Sequence, residues 1–274
     1  RIHHFEKMLY DQALLSRAYL EAFQVTKKQE YADIAKGIFE YVLSEMMQTQ
    51  GGFYCAEDAD SPLPENPEVK QEGALYLWSE DELKTILGKD YAEIIGYYFG
   101  IKAKEKNILY IAHSIDETAS HFKKSVKEIE TIIKYCKERL SNIRALRPKP
   151  HLDDKILTDW NGLMLSSLAQ GAMILNEPRY LSAAKNAAEF ILKHLQDKEG
   201  RLLHRYRDGQ ASIKGMLEDY AFFIQGLLDL YEAGFEPKYL YSAKQLTEEM
   251  LKLFWDKEKG GLFFTAQYAQ MLFG

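Results

Sequence analysis

Residues 147–163 read RPKPHLDDKILTDWNGL, and the fold is decided here. Pro148 and Pro150 interrupt regular structure. A polar group follows, His151, Asp153, Asp154 and Lys155, and then Thr158, Asp159, Trp160 and Asn161 open onto an apolar run. In that run Leu163, Met164, Leu165, Leu168, Ala169, Ala172, Met173 and Ile174 cover nearly every side of a helix. The spacing predicts a helix over 160–175 with no wet face, which is a helix buried all round. Pro178, a favourable first helical residue, opens a second helix that is amphipathic. Gly200 and a short extended piece close the unit.

The same plan occurs on either side. An aromatic residue beside an acid begins an apolar helix, an amphipathic helix follows, and a glycine ends the pair. Tyr10 to Gly51, Trp160 to Gly200 and Tyr220 to Gly260 are 41, 40 and 40 residues apart. A fixed period of helix pairs predicts a helical repeat architecture. Alternation of apolar and amphipathic helices predicts two layers, so the fold class is all-α. It reads as an (α/α) toroid of helical hairpins with short strands in the connecting loops. The segment between, with capping boxes at Ser79/Glu82 and Ser125/Glu128, is expected to supply a fourth, irregular hairpin over 79–146. Strands are expected at 74–78 and 108–111, and an irregular, proline-broken loop at 57–67. Four hairpins are fewer than a closed (α/α)6 barrel holds, so an incomplete barrel is expected over 1–265, with 266–274 as a tail of separate character.

The totals agree with one large domain: 274 residues, 46% hydrophobic, with 18 Tyr. A net charge of -6 without a basic tract argues against nucleic acid. No apolar run approaches the roughly 18 residues that span a bilayer. Cys55 and Cys136 form no CxxC and read as free thiols in a reducing, cytoplasmic setting. No GxGxxG, P-loop or HxxxH spacing is present, so neither cofactor nor metal is expected.

In such a ring, inner-helix starts and outer-helix ends share one end, which would be acidic, aromatic and concave. Acid/base groups for a sugar-like small molecule are expected there: Asp58, Asp154 and Asp219, with His4 and His151 as alternates. His3 and His204 are further proton-transfer candidates. Substrate contacts are expected from Tyr10, Glu57, Asp153, Lys155, Trp160, Asn161, Glu218 and Tyr220, with the aromatic rings as stacking platforms. The rival reading makes the same charges internal ties, Asp153 with Lys155 for example, in a non-catalytic scaffold.

The motifs HFEKMLYDQALL, GGFYCAEDADS, EGALYLW, RPKPHLDDKILTDWNGLM and LEDYAF resemble the YyaL / spermatogenesis-associated protein 20 family, along almost the whole chain. The resemblance implies a thioredoxin-like domain ahead of an (α/α)6 barrel similar to six-hairpin glycosidases and N-acylglucosamine 2-epimerases. It thus implies a glycosidase-like or epimerase-like carbohydrate activity, or a scaffold serving the thioredoxin-like domain on the same parent chain.

Overall fold

A computed structural model describes residues 4–266. His3 and all of the expected tail except Ala266 lie outside them. The helices, in chain order, are α1 (Leu9–Thr26), α2 (Gln29–Tyr41), α3 (Glu80–Leu87), α4 (Lys89–Tyr98), α5 (Ile115–Phe122), α6 (Val126–Ala145), α7 (Thr158–Leu175), α8 (Pro178–His194), α9 (Leu217–Gly234) and α10 (Pro237–Phe254). A single π-helical turn, Val42–Met46, extends α2. The strands are short: β1 (Lys7–Met8), β2 (Ala56–Glu57), β3 (Asp60–Leu63), β4 (Asn66–Glu72), β5 (Leu77–Ser79), β6 (Lys106–Ile108), β7 (Leu152–Asp153), β8 (Ile156–Leu157), β9 (Leu203–Arg207) and β10 (Gln210–Lys214).

The chain forms two compact units. Among the described residues, one contains 4–6 and 58–151, the other 7–57 and 152–266.

The second unit contains the three repeats. Helices α1, α7 and α9 stand side by side as an inner row, with α7 in the middle, and α2, α8 and α10 back them. Apolar faces meet between the layers in one core, which includes Leu20, Phe39, Leu165, Leu168, Phe190, Phe223 and Leu227. The amphipathic α8 buries Tyr180, Ala184, Ala188 and Ile191, as its pattern predicts. The inner row can be close because glycines lie at the α7–α9 crossing. A Cβ on Gly162 would be 2.6 Å from the Phe222 carbonyl carbon, and one on Gly226 2.7 Å from the Gly162 oxygen. Two small sheets finish one end of the row, in the orders β1-β2-β7 and β10-β9-β8.

The first unit has its own cores, one around Ile95, Ile129, Ile133 and Cys136 and another around Trp78, Leu83 and Leu140. The segment expected to be a fourth repeat therefore packs upon itself. Arg147 is its clamp: the guanidinium stacks 3.8 Å from the Trp78 ring centroid and donates to the Leu75 and Leu77 carbonyls and to Glu82.

Three local expectations change. The proline-rich loop is a β3–β4 hairpin, with a bulge between Pro62 and Leu63. A two-stranded ribbon has outward-facing positions at which proline's missing N–H costs nothing. Strand β5 begins later than its apolar run, because Ala74–Tyr76 is taken into a turn closed by the Tyr76 N–H to Gly73 carbonyl bond, and β6 lies earlier than expected, at Lys106–Ile108. Helix α5 was not anticipated, although Ser114 and Glu117 form a full capping box at its start.

Candidate functional site

The N-terminal end of the inner row collects the chemistry. Strand β9 delivers His204, the first turn of α7 delivers Asp159 and the first turn of α9 delivers Asp219. Nδ1 of His204 lies 3.0 and 3.1 Å from the two carboxylate oxygens of Asp219. Oδ1 of Asp219 also accepts the Asp159 backbone N–H at 3.1 Å, and Oδ2 accepts the Met216 N–H at 2.8 Å. One carboxylate thus caps two inner helices and orients an imidazole. Oδ1 of Asp159 accepts the Trp160 N–H at 2.8 Å.

Burial sets the electrostatics. Asp159 is 7% exposed and Asp219 1%. Burial, reinforced by the nearby Asp219 charge, pushes the Asp159 carboxyl up to about 6. The hydrogen bond to Asp219 raises His204 above its usual value, against the opposing effect of its own burial. A raised acid and a raised imidazole side by side are the type of pair that divides proton donor from proton acceptor. One ligand atom from each of Asp159, His204 and Asp219 lies within 4.8 Å of the others, the spacing of a metal site. The lone pairs of Asp219, however, already face two backbone N–H groups and an imidazole, which suits a hydrogen-bonded dyad better than a cation.

Beside this cluster, the half-buried rings of Tyr10 and Trp160 meet edge to face at 4.8 Å. Glu218, adjacent to Asp219 in sequence, is exposed.

The other expected residues are distributed differently. His4, Asp58 and His151 belong to the first unit, the rest to the second. His4 and His151 are exposed, and Asp58 accepts the Asp60 N–H in its own turn. Glu57 is buried and paired with Lys7 at 3.0 Å. Asp153 is paired with Lys155 at 2.7 Å, which helps to hold its carboxyl below the usual range against burial. Asp154 lies 2.8 Å from Arg207. These three acids are ties.

Two expectations are corrected. Asn161 is fully buried; its amide donates to the Phe53 and Leu157 carbonyls and accepts the Phe53 N–H, so it fixes the α7 start and has nothing left for substrate. Tyr220 is fully buried too. Its hydroxyl accepts the Leu202 N–H and its ring packs on Phe254, so it cannot be a stacking platform.

Composition and spacing alone do not single out Asp159, or His204 from among the other histidines. The signal was present in the register: Asp159-Trp160 and Asp219-Tyr220 occupy the same place in successive repeats. Both cysteines are free and buried, which pushes the Cys55 thiol up to about 12 and the Cys136 thiol to about 11. No described helix is long and apolar enough to cross a membrane.

Comparison with known proteins supplies the lineage. No family model matches the chain. Among solved structures, the unsaturated glucuronyl hydrolase of Bacillus sp. GL1 superposes with a TM-score of 0.55 at 12% identity, over 97% of this chain and 52% of that one. A glycoside hydrolase family 76 mannosidase from Bacteroides thetaiotaomicron gives 0.50 at 14% identity, over 94% and 48%. At these identities the likeness is one of fold. Human spermatogenesis-associated protein 20 is 38% identical over 292 aligned positions, which cover 95% of this chain and 37% of that protein. An uncharacterized protein of Caenorhabditis elegans is 34% identical over 93% of this chain and 39% of its own length. This chain, which spans little more than a third of the length of the curated relatives it matches, is homologous to spermatogenesis-associated protein 20 along 95% of its own length.

Proposed function

We propose that the inner-row end of the second unit is a proton-transfer site for a sugar, with Asp159 and His204 as its acid/base pair and Asp219 as the positioning group. The observation that carries this is the buried Asp159 beside the His204–Asp219 dyad, with the Asp159 carboxyl near 6 and the imidazole raised. Above about 6 Asp159 is ionised, and the hydrogen bond to Asp219 lets His204 keep its proton to higher pH than a free imidazole does. Asp159 is then the base and the imidazolium, held by Asp219, is the acid.

The geometry favours transfer beside a carbonyl over glycoside hydrolysis. Hydrolysis uses two working carboxylates roughly 5 to 9.5 Å apart. Here Asp219 is sequestered by its three donors and is not free to act as a second working carboxylate. Asp159 would take the proton from the carbon next to the sugar carbonyl, and the imidazolium would donate to the carbonyl oxygen as the enediol forms. Returning a proton to either carbon gives an isomer or epimer. The edge-to-face rings of Tyr10 and Trp160 offer an apolar wall for the sugar.

The test is exchange. The intact protein is incubated with a panel of aldoses in deuterated water, and carbon-bound deuterium is followed by NMR. Incorporation beside the carbonyl for one sugar, abolished in Asp159→Asn and His204→Gln, is the expected result; hydrolysis of a glycoside without exchange would contradict it. The rate should be bell-shaped in pH. It rises through about 6 as Asp159 ionises and falls at higher pH as His204 loses its proton.

The pairing of Glu57, Asp153 and Asp154 with Lys7, Lys155 and Arg207 favours a second reading, a scaffold accompanying a thioredoxin-like domain. Folded protein with no exchange across the panel supports that reading.

A further inference from the structure

Two turns along the same inner row is a second polar cluster, which the acid/base site does not use. Its hub is Asp229 on α9, 4% exposed. Ser166 on α7 donates a short hydrogen bond to Oδ2, and Arg17 on α1 reaches the same oxygen at 3.4 Å and Ser166 Oγ at 3.0 Å. Gln170 and Gln225 each donate their amide nitrogen to Oδ1, at 3.1 and 3.2 Å. Arg17 and Asp229 come from the two helices that flank α7, so they can meet only over a face of α7. Its other face is packed against α8. The cluster therefore lies on the face of the inner row turned away from the outer layer. Exposure agrees: Gln225 is exposed and Gln170 and Arg17 are half-buried.

The hub fixes what its partners present. With both amide nitrogens turned to Asp229, the two glutamines leave their carbonyl oxygens over. With Nη1 on the cluster and Nε on Glu21, Arg17 leaves Nη2 over. Among the described residues these three atoms take no other hydrogen bond. Two oriented acceptors and one charged donor match a hydroxyl group, which donates one bond and accepts others. An array of hydroxyls is a sugar.

Position gives the size of the ligand. Asp159 and Ser166 are seven residues apart on α7, about 10 Å along the axis. Leu14, Leu163 and Phe222 occupy the intervening turns and are half-buried or exposed. That length exceeds one pyranose ring. Resting on the proton-transfer reading above, we infer that the substrate is at least a disaccharide, its reducing sugar at Asp159 and His204 and its second sugar on Arg17, Gln170 and Gln225.

Calorimetric titration of the intact protein tests this with aldoses and their disaccharides, D-glucose against cellobiose and D-mannose against mannobiose. In one pair the disaccharide should bind about tenfold more tightly or better, and Gln225→Ala should remove most of that margin with little change in melting temperature. A tenfold change corresponds to one or two neutral hydrogen bonds. Affinities within twofold in both pairs, or a margin that Gln225→Ala leaves intact, would overturn the second subsite and leave the acid/base site standing. If none of the four sugars binds, the proton-transfer reading falls and takes this inference with it.

Discussion

Asp159 carries the account at the scale of single residues. A buried acid whose carboxyl is raised to about 6 in the folded chain binds its proton more tightly there than in the unfolded chain. Stability therefore falls as pH rises from the usual 3.8 to about 6, and the full penalty applies above that. The shift corresponds to a cost on the order of 3 kcal/mol. Asn at this position keeps an oxygen for the Trp160 N–H and carries no charge. Asp159→Asn should therefore raise the melting temperature at pH 7 by an amount worth roughly 1 to 3 kcal/mol, and the gain should vanish below about pH 4. Thermal unfolding at pH 3.5 and 7 measures this. An unchanged or lower melting temperature at pH 7 would mean that Asp159 is not under electrostatic strain.

Among elements, the decisive contact is the α7–α9 crossing. The first turns of these helices place Asp159 and Asp219, so their separation sets the site. Gly162 permits the approach, with the Phe222–Phe223 backbone filling the space a Cβ would need. Alanine is the better helix former by about 1 kcal/mol, yet Gly162→Ala should lower stability by about 2 to 3 kcal/mol, because the clash is with backbone and cannot relax by a rotamer change. Urea unfolding gives the number, and a stabilised variant would show that the crossing has room to move. The helices themselves were legible. The predicted helix over 160–175 lies within two residues of the observed α7, and Pro178 opens α8 as expected, because apolar spacing and proline act locally. The short strands and α5 were read less well, since each depends on a partner far along the chain or on a cap of one turn.

Across the whole molecule, the repeat was legible and the division into two units was not. Residues 79–146 have helical spacing and two evident capping boxes, which made them look like another repeat. What the sequence could not show is that their apolar faces close on one another. The same gap explains the site. Periodicity put Asp219 at the start of an inner helix but could not tell which loop acids meet a lysine or arginine and which meet each other. The topology makes a prediction here. Glu57 and Leu152, where the chain leaves and re-enters the second unit, are direct partners across the β2–β7 ladder. Replacing Asp58–His151 by a short Asn-Gly turn should close a hairpin and leave a folded, cooperatively melting second unit. Circular dichroism with a thermal melt is the readout. A chain that is helical but melts without a transition would show that the second unit's core does not suffice.

The central claim is that Asp159 changes protonation near neutrality beside a His204–Asp219 dyad. The most direct measurement is an NMR pH titration of the intact protein labelled with carbon-13 at the aspartate carboxyls, with the Asp159 signal assigned by its loss in Asp159→Asn. The account predicts a midpoint near 6 for that carboxyl. A midpoint near 4 would contradict it, and the acid/base assignment would fail with it.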